Sequence, residues 1–157
     1  HHIAELLKTP AAKLTERIEK LGHEVKELEA QVKQMQKERI VAIAGALPFK
    51  KNTDGVHYCV QSVSVAPADL KNLMDALSEI CPEGALAIAC QEPNKVHISV
   101  RVPQGLVTRG FKANELLKPA LTILEGSGGG KAEHAQGAGK AVNNIKQALD
   151  QIEQAFA

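Results

Sequence analysis

A chain of 157 residues allows one domain plus an appendage, and a hydrophobic share of 44% supplies a core. Aromatics reach only 3% and Trp is absent, so that core must come from Leu, Ile, Val and Ala. No apolar run approaches the roughly 20 residues that cross a bilayer, and no basic–apolar–small leader pattern is present, so neither a membrane partner nor a secretory leader is expected.

His1 and His2 read as a tag remnant and carry no weight below. The stretch Ile3 to Thr9 reads as the end of a helix, and Pro10 as a start or break before the next one. Leu14, Ile18, Leu21, Val25, Leu28, Val32 and Met35 then alternate spacings of four and three, which is a heptad seam on one long helix. Arg39 ends the seam. From Leu14 to Arg39 the helix should run roughly 39 Å at 1.5 Å per residue. Residues of both charge signs between the seam positions make a solvated outer face. The stripe needs a partner. A parallel homodimer and packing against another helix of the same chain fit about equally.

Val41 to Leu47 is apolar without clear period and fits a helix end or a strand. The arm is therefore set at 1–47. Residues 48–55, rich in Pro, Lys, Asn, Asp and Gly, read as a linker, and 56–157 as a globular domain. Val56 to Val65 is strand-like, with a change of phase near Gln61 and Ser62 that suggests a bulge. Pro67 opens a helix whose apolar face is Leu70, Leu73, Met74, Leu77 and Ile80, and Pro82 and Gly84 stop it. Ala85 to Cys90 is apolar on both faces, as a central strand is. In Lys95 to Val102, Val96, Ile98, Val100 and Val102 face inward, and Lys95, His97, Ser99 and Arg101 outward. These two strands should form a hairpin, with a right-handed crossover before them if the first pair is parallel.

Leu116, Leu117, Ala120, Leu121 and Leu124 mark another helix, which Pro119 should kink or divide. Val142, Ile145, Leu149, Ile152 and Phe156 mark the last. Between them Gly126-Ser127-Gly128-Gly129-Gly130-Lys131 reads as a loop. The expected class is α+β or α/β: a coiled-coil-like arm, then a mixed sheet packed by helices.

The formal charge of +1 conceals an asymmetry. Residues 95–146 hold eight basic and three acidic side chains, a net +5, which leaves −4 elsewhere. Such a region can present a local anion-binding face, although scattered lysines serve equally as a solvated surface. Successive glycine amides can converge on one anion, with Lys131 adding charge. The phosphate-loop and dinucleotide patterns nevertheless fail: Glu125 and Ala132 stand where the first needs Gly and Ser or Thr. A tight structural connection explains the glycines as well. Around Arg109-Gly110-Phe111-Lys112, two cations flank a flexible glycine and one aromatic, as RNA contacts do. The alternative is that Phe111 is core.

His57 and Cys59 share a strand face and His97 lies on another strand, but no metal motif accompanies them. A bound metal is not expected. Cys59, Cys81 and Cys90 have no disulfide spacing and read as free thiols of a reducing compartment. Neither a nucleophile–base pair nor paired carboxylates form a convincing active site.

The run Arg101-Val102-Pro103-Gln104 through Arg109-Gly110-Phe111-Lys112-Ala113-Asn114-Glu115, then Gly126-Ser127-Gly128-Gly129-Gly130-Lys131 and Ala135-Gln136, resembles the DHHA1 domain. More narrowly it is similar to the C-terminal domain (C-Ala) of alanyl-tRNA synthetases, over Val56 to Ala157. The resemblance implies a non-catalytic module that binds the elbow of tRNA-Ala and links the aminoacylation and editing modules. It implies other domains of a parent alanine–tRNA ligase as partners, a cytoplasmic setting, and in some members a dimer contact. Carried over by motif, the RNA face would be Arg109, Lys112, Gly128, Gly129, Gly130 and Lys131, with Lys140 as an outlying phosphate contact. Catalytic, editing and phosphoesterase motifs are missing from this chain. The chain itself is therefore expected to bind rather than react and to need no cofactor, while the parent would use ATP, Mg and Zn. A structural or dimerisation module, a phosphoesterase accessory domain and a drifted DNA- or protein-binding domain remain the competing readings.

Overall fold

The computed structural model describes residues 2–6 and 10–157. Helix α1 spans His2–Leu6, and the rest of the short helix expected to Thr9 lies outside the described residues. Pro10 acts as the predicted start: its carbonyl accepts the Lys13 N–H at 2.8 Å, in a single 3-10 turn from which α2 (Leu14–Ala46) grows. The 33 residues of α2 extend about 50 Å. The apolar stretch after Val41 is thus a helix end. Two compact units form, His1–Arg39 and Ile40–Ala157.

In the first unit the heptad seam faces water. Ile18, Val25, Leu28, Val32 and Met35 are 51–68% exposed, and Leu14 and Leu21 half-buried.

The second unit is built on a six-stranded sheet. Its strands are β1 (Lys50–Lys51), β2 (His57–Val63), β3 (Ala85–Glu92), β4 (Lys95–Arg101), β5 (Ser127–Gly130) and β6 (His134–Gly139). Their order is β1-β2-β3-β4-β6-β5. Strands β2 and β3 are parallel, joined by helix α3 (Pro67–Ile80), and β3 and β4 form the expected antiparallel hairpin. Around them lie α4 (Gln104–Val107), α5 (Ala113–Ile123) and α6 (Ile145–Gln154).

Strand register sorts the side chains between two faces. Tyr58, Ala87, Ala89, Val96, Ile98, Val100 and Ala135 point to one face and pack with Leu117, Leu121, Leu149 and Ile152 of α5 and α6. Cys59, Leu86, Ile88 and Cys90 point to the other and pack under Leu70, Leu73, Met74 and Leu77 of α3, with Ile40 and Ala44 of α2. Strands β2 and β3 therefore lack a clean two-residue alternation because both of their faces are covered.

Four sequence expectations need correction. No bulge interrupts β2, since Tyr58 to Val63 pair one-for-one with Ala85 to Cys90. The change of phase marks a change of packed face: Val56, Tyr58 and Val60 lie in one cluster, and Val63 and Val65 in the other. The presumed linker 48–55 holds β1, an edge strand paired with β2 through Lys50↔Tyr58 and Lys51↔His57. Pro119 neither divides nor ends α5, which is continuous from Ala113 to Ile123. Proline lies past the first turn, where it costs a backbone bond, and burial of Leu117, Ala120 and Leu121 on either side of it offsets that cost.

The fourth concerns the glycine stretch, which is edge strand β5, antiparallel to β6, rather than a loop. Helix α5 closes with the Gly126 N–H donating to Leu121 carbonyl at 2.9 Å and the Glu125 N–H to Thr122 carbonyl at 3.3 Å. This is a paired 6→1 and 5→2 termination, with Glu125 at φ +51°. It turns the chain directly into β5.

Candidate nucleic-acid interface

The C-terminal end of β4, the N-terminal ends of β2, β3 and β6 and the turn after β5 share one end of the sheet. Three of the sequence-predicted cations converge there. Arg109 is exposed, and its Nη2 reaches the Asp54 carbonyl in the β1–β2 turn at 3.4 Å. Gly110 follows at φ +100°, a conformation that costs glycine little. Lys112 immediately precedes α5, and its Nζ lies 3.3 Å from Glu115 Oε1. The Ala113 N–H donates to the Ala132 carbonyl at 2.7 Å, which brings the root of Lys112 beside the turn that carries Lys131. Lys131 is exposed and has no ion-pair partner among the described residues. Lys140 is elsewhere: its N–H bonds the Leu124 carbonyl at 2.9 Å, beyond the far end of β6.

Phe111 joins the core. It stacks on Phe156 at 5.3 Å between ring centroids, and Phe156 stacks on Tyr58 at the same distance. The aromatic between the two cations therefore anchors their turn and is not a platform for a base.

The glycines of β5 divide by what surrounds them. A Cβ on Gly126, Gly128 or Gly130 would overlap the carbonyl oxygens of Ala138, Gln136 and His134, whereas one on Gly129 would meet nothing within 4 Å. Gly128 and Gly130 thus let the edge strand lie tight against β6, and of the three glycines of β5 only Gly129 has open space where a Cβ would stand. As an edge, β5 leaves backbone groups unpaired on its outer side.

The sequence does not single out the other polar surface of this unit. Beyond β3 the α3 side of the sheet carries His97, Ser99 and Arg101 of β4 beside Ala138, Gln136 and His134 of β6. Ser99 Oγ and His134 Nε2 are 3.2 Å apart, and Arg101 Nη1 holds Asp75 Oδ1 at 2.9 Å and Ser78 Oγ at 3.1 Å on α3. Burial and the nearby Arg101 guanidinium lower the pKa of His134. The outward residues of β4 are readable from alternation. Strand β6 is not, since His134-Ala-Gln-Gly-Ala-Gly lacks strand-forming residues.

Burial pushes the Cys59 thiol up to about 11, far from a reactive thiolate. His97 Nε2 contacts Glu92 Oε2 at 3.0 Å, and no group of three metal-ligating side chains occurs among the described residues.

Residues 55–157 match the DHHA1 domain. The chain belongs to the DHHA1 family. Over 98% of its length it is 32% identical to the alanine–tRNA ligase of Oceanobacillus iheyensis, and over 94% it is 29% identical to that of Bacillus subtilis. It spans about 18% of the length of these relatives. Among solved structures, the C-Ala domain of Aquifex aeolicus alanyl-tRNA synthetase is similar, with a TM-score of 0.61 at 24% identity, covering 70% of this chain and 98% of that one. A DHH-domain protein described as a member of the s1p family of ribosomal proteins has a TM-score of 0.57 at 17% identity, over 83% of this chain and 32% of its own. The expected DHHA1-like fold, an α+β unit after a long N-terminal helix, is therefore observed.

Proposed function

We propose that this DHHA1 chain is the non-catalytic tRNA-binding C-terminal part of an alanine–tRNA ligase. It would act in the cytoplasm, holding the tRNA elbow so that aminoacylation and editing modules work on one molecule. The observation that carries this reading is the shared sheet end, where Arg109, Lys112 and Lys131 stand exposed beside a glycine edge strand. Arg109 and Lys131 hold phosphates, and the open backbone at Gly129 lets a phosphate or ribose approach. Lys140, at the other end of β6, contacts phosphate only if the RNA runs along the strand. ATP, Mg and Zn belong to the parent's other modules.

Arg109→Ala and Lys131→Ala test the assignment by titration with tRNA at several salt concentrations. Each should weaken binding several-fold and lower the salt slope by about 1, with thermal stability unchanged. Full affinity with an unaltered slope in both variants overturns the assigned face. Duplex DNA competing as well as tRNA would favour a drifted DNA-binding module.

A second reading, dimerisation, rests on the exposed seam of α2. An apolar stripe five residues deep and more than half exposed favours a helical partner. Sedimentation should show a dimer that Val25→Asp dissociates. A monomer at high concentration rules this reading out.

A further inference from the structure

One face of the sheet packs against α5 and α6, and the other is covered over β2 and β3 by α3 and the end of α2. The uncovered half, over β4 and β6, runs alongside α3 and forms a groove of about 730 Å³. Its volume lies within the range of small-molecule sites.

The groove presents three chemistries. The wall is apolar: half-buried Pro67 at the start of α3 faces the groove, with Leu70 and Met74 buried behind it. The floor is polar, formed by Ser99, His134 and Gln136. Ser99 is the buried polar residue of the unit at 4% exposure, and its Oγ is held by His134. With its pKa lowered, the His134 ring is neutral at pH 7 and offers one donor and one acceptor. The Gln136 amide is exposed and makes no hydrogen bond among the described residues, leaving a donor and an acceptor free. The rim is cationic: Lys71 and Lys95 are exposed and without ion-pair partners among the described residues. Arg101 is held by Asp75 and Ser78, so the free charge of the rim is that of the two lysines.

A simple anion would use the rim and leave the floor idle. An aliphatic ligand would leave the floor's polar groups unpaired, at a cost. A flat heterocycle with a hydrogen-bonding edge and an attached phosphate uses all three. Ser127, the first residue of β5, also lines the groove, which makes it continuous with the glycine edge.

We propose that this groove is a nucleotide site, seating one unstacked nucleotide of the bound RNA. The base lies against the α3 wall with its edge on Gln136 and the Ser99–His134 pair, and its phosphate lies at Lys71 and Lys95. This deepens the RNA-binding reading and rests on it for the source of the nucleotide.

The test uses the full chain, with amide and histidine side-chain NMR signals followed during titration with AMP, CMP, GMP, UMP, inorganic phosphate and intact tRNA. At least one of the four nucleotides should shift the Ser99, His134 and Gln136 signals where phosphate does not, and tRNA should shift the same signals. Gln136→Ala and Lys71→Ala should each weaken that nucleotide about tenfold. If tRNA binds while these signals stay still with every nucleotide, the groove assignment fails and the RNA-binding reading stands. If phosphate reproduces the nucleotide shifts, the groove does not recognise a base. If a nucleotide binds and tRNA does not, the groove site stands and the tRNA reading fails.

Discussion

Gly128 and Gly129 are neighbours under different constraints. A methyl group on Gly128 would collide with the backbone of β6, which cannot yield as a flexible side chain can. A methyl on Gly129 would stand in open space. Gly128→Ala should therefore destabilise the chain by about 3 kcal/mol, the upper range for overpacking. Gly129→Ala should change stability by less than about 0.5 kcal/mol. Thermal melts of the two variants decide this. Equal losses would mean that β5 does not lie against β6 as described. Gly129→Ala also separates fold from function, because a binding loss without a stability loss places the ligand on the open edge. Residue type alone does not carry this distinction, since three consecutive glycines look alike in a sequence.

Among the elements, α5 ends under strain. Glu125 occupies the left-handed position that glycine fills in most such terminations. Glu125→Gly should raise stability by roughly 0.5–1 kcal/mol, the relieved strain exceeding glycine's added chain entropy. A lower melting temperature would show that the Glu125 side chain supports the turn. The elements readable from sequence are those rich in large apolar side chains: α2, α3, α5, the last helix and strands β2, β3 and β4. Strands β5 and β6 were not readable, because glycine and alanine mark a strand only through what they pack against. Two lysines between turn residues conceal β1 in the same way. In α5, the proline rule gave way to packing: Leu117, Ala120 and Leu121 bury against the sheet on both sides of Pro119.

At the scale of the molecule, the second unit carries a cationic sheet end and the first an exposed apolar seam. The sequence named Arg109, Lys112 and Lys131 through family likeness, and the fold brings them to one end of the sheet. It puts Lys140 at the other end. The groove beside α3 was invisible in the sequence because one of its two strands was. A module for the tRNA elbow must tell an intact tRNA from its acceptor stem. The most direct measurement is binding of the full chain to intact tRNA-Ala and to an acceptor-stem minihelix at the same low salt. Intact tRNA should form a complex that salt weakens, and the minihelix little or none. Equal affinity for the two, or no complex with intact tRNA, would contradict it.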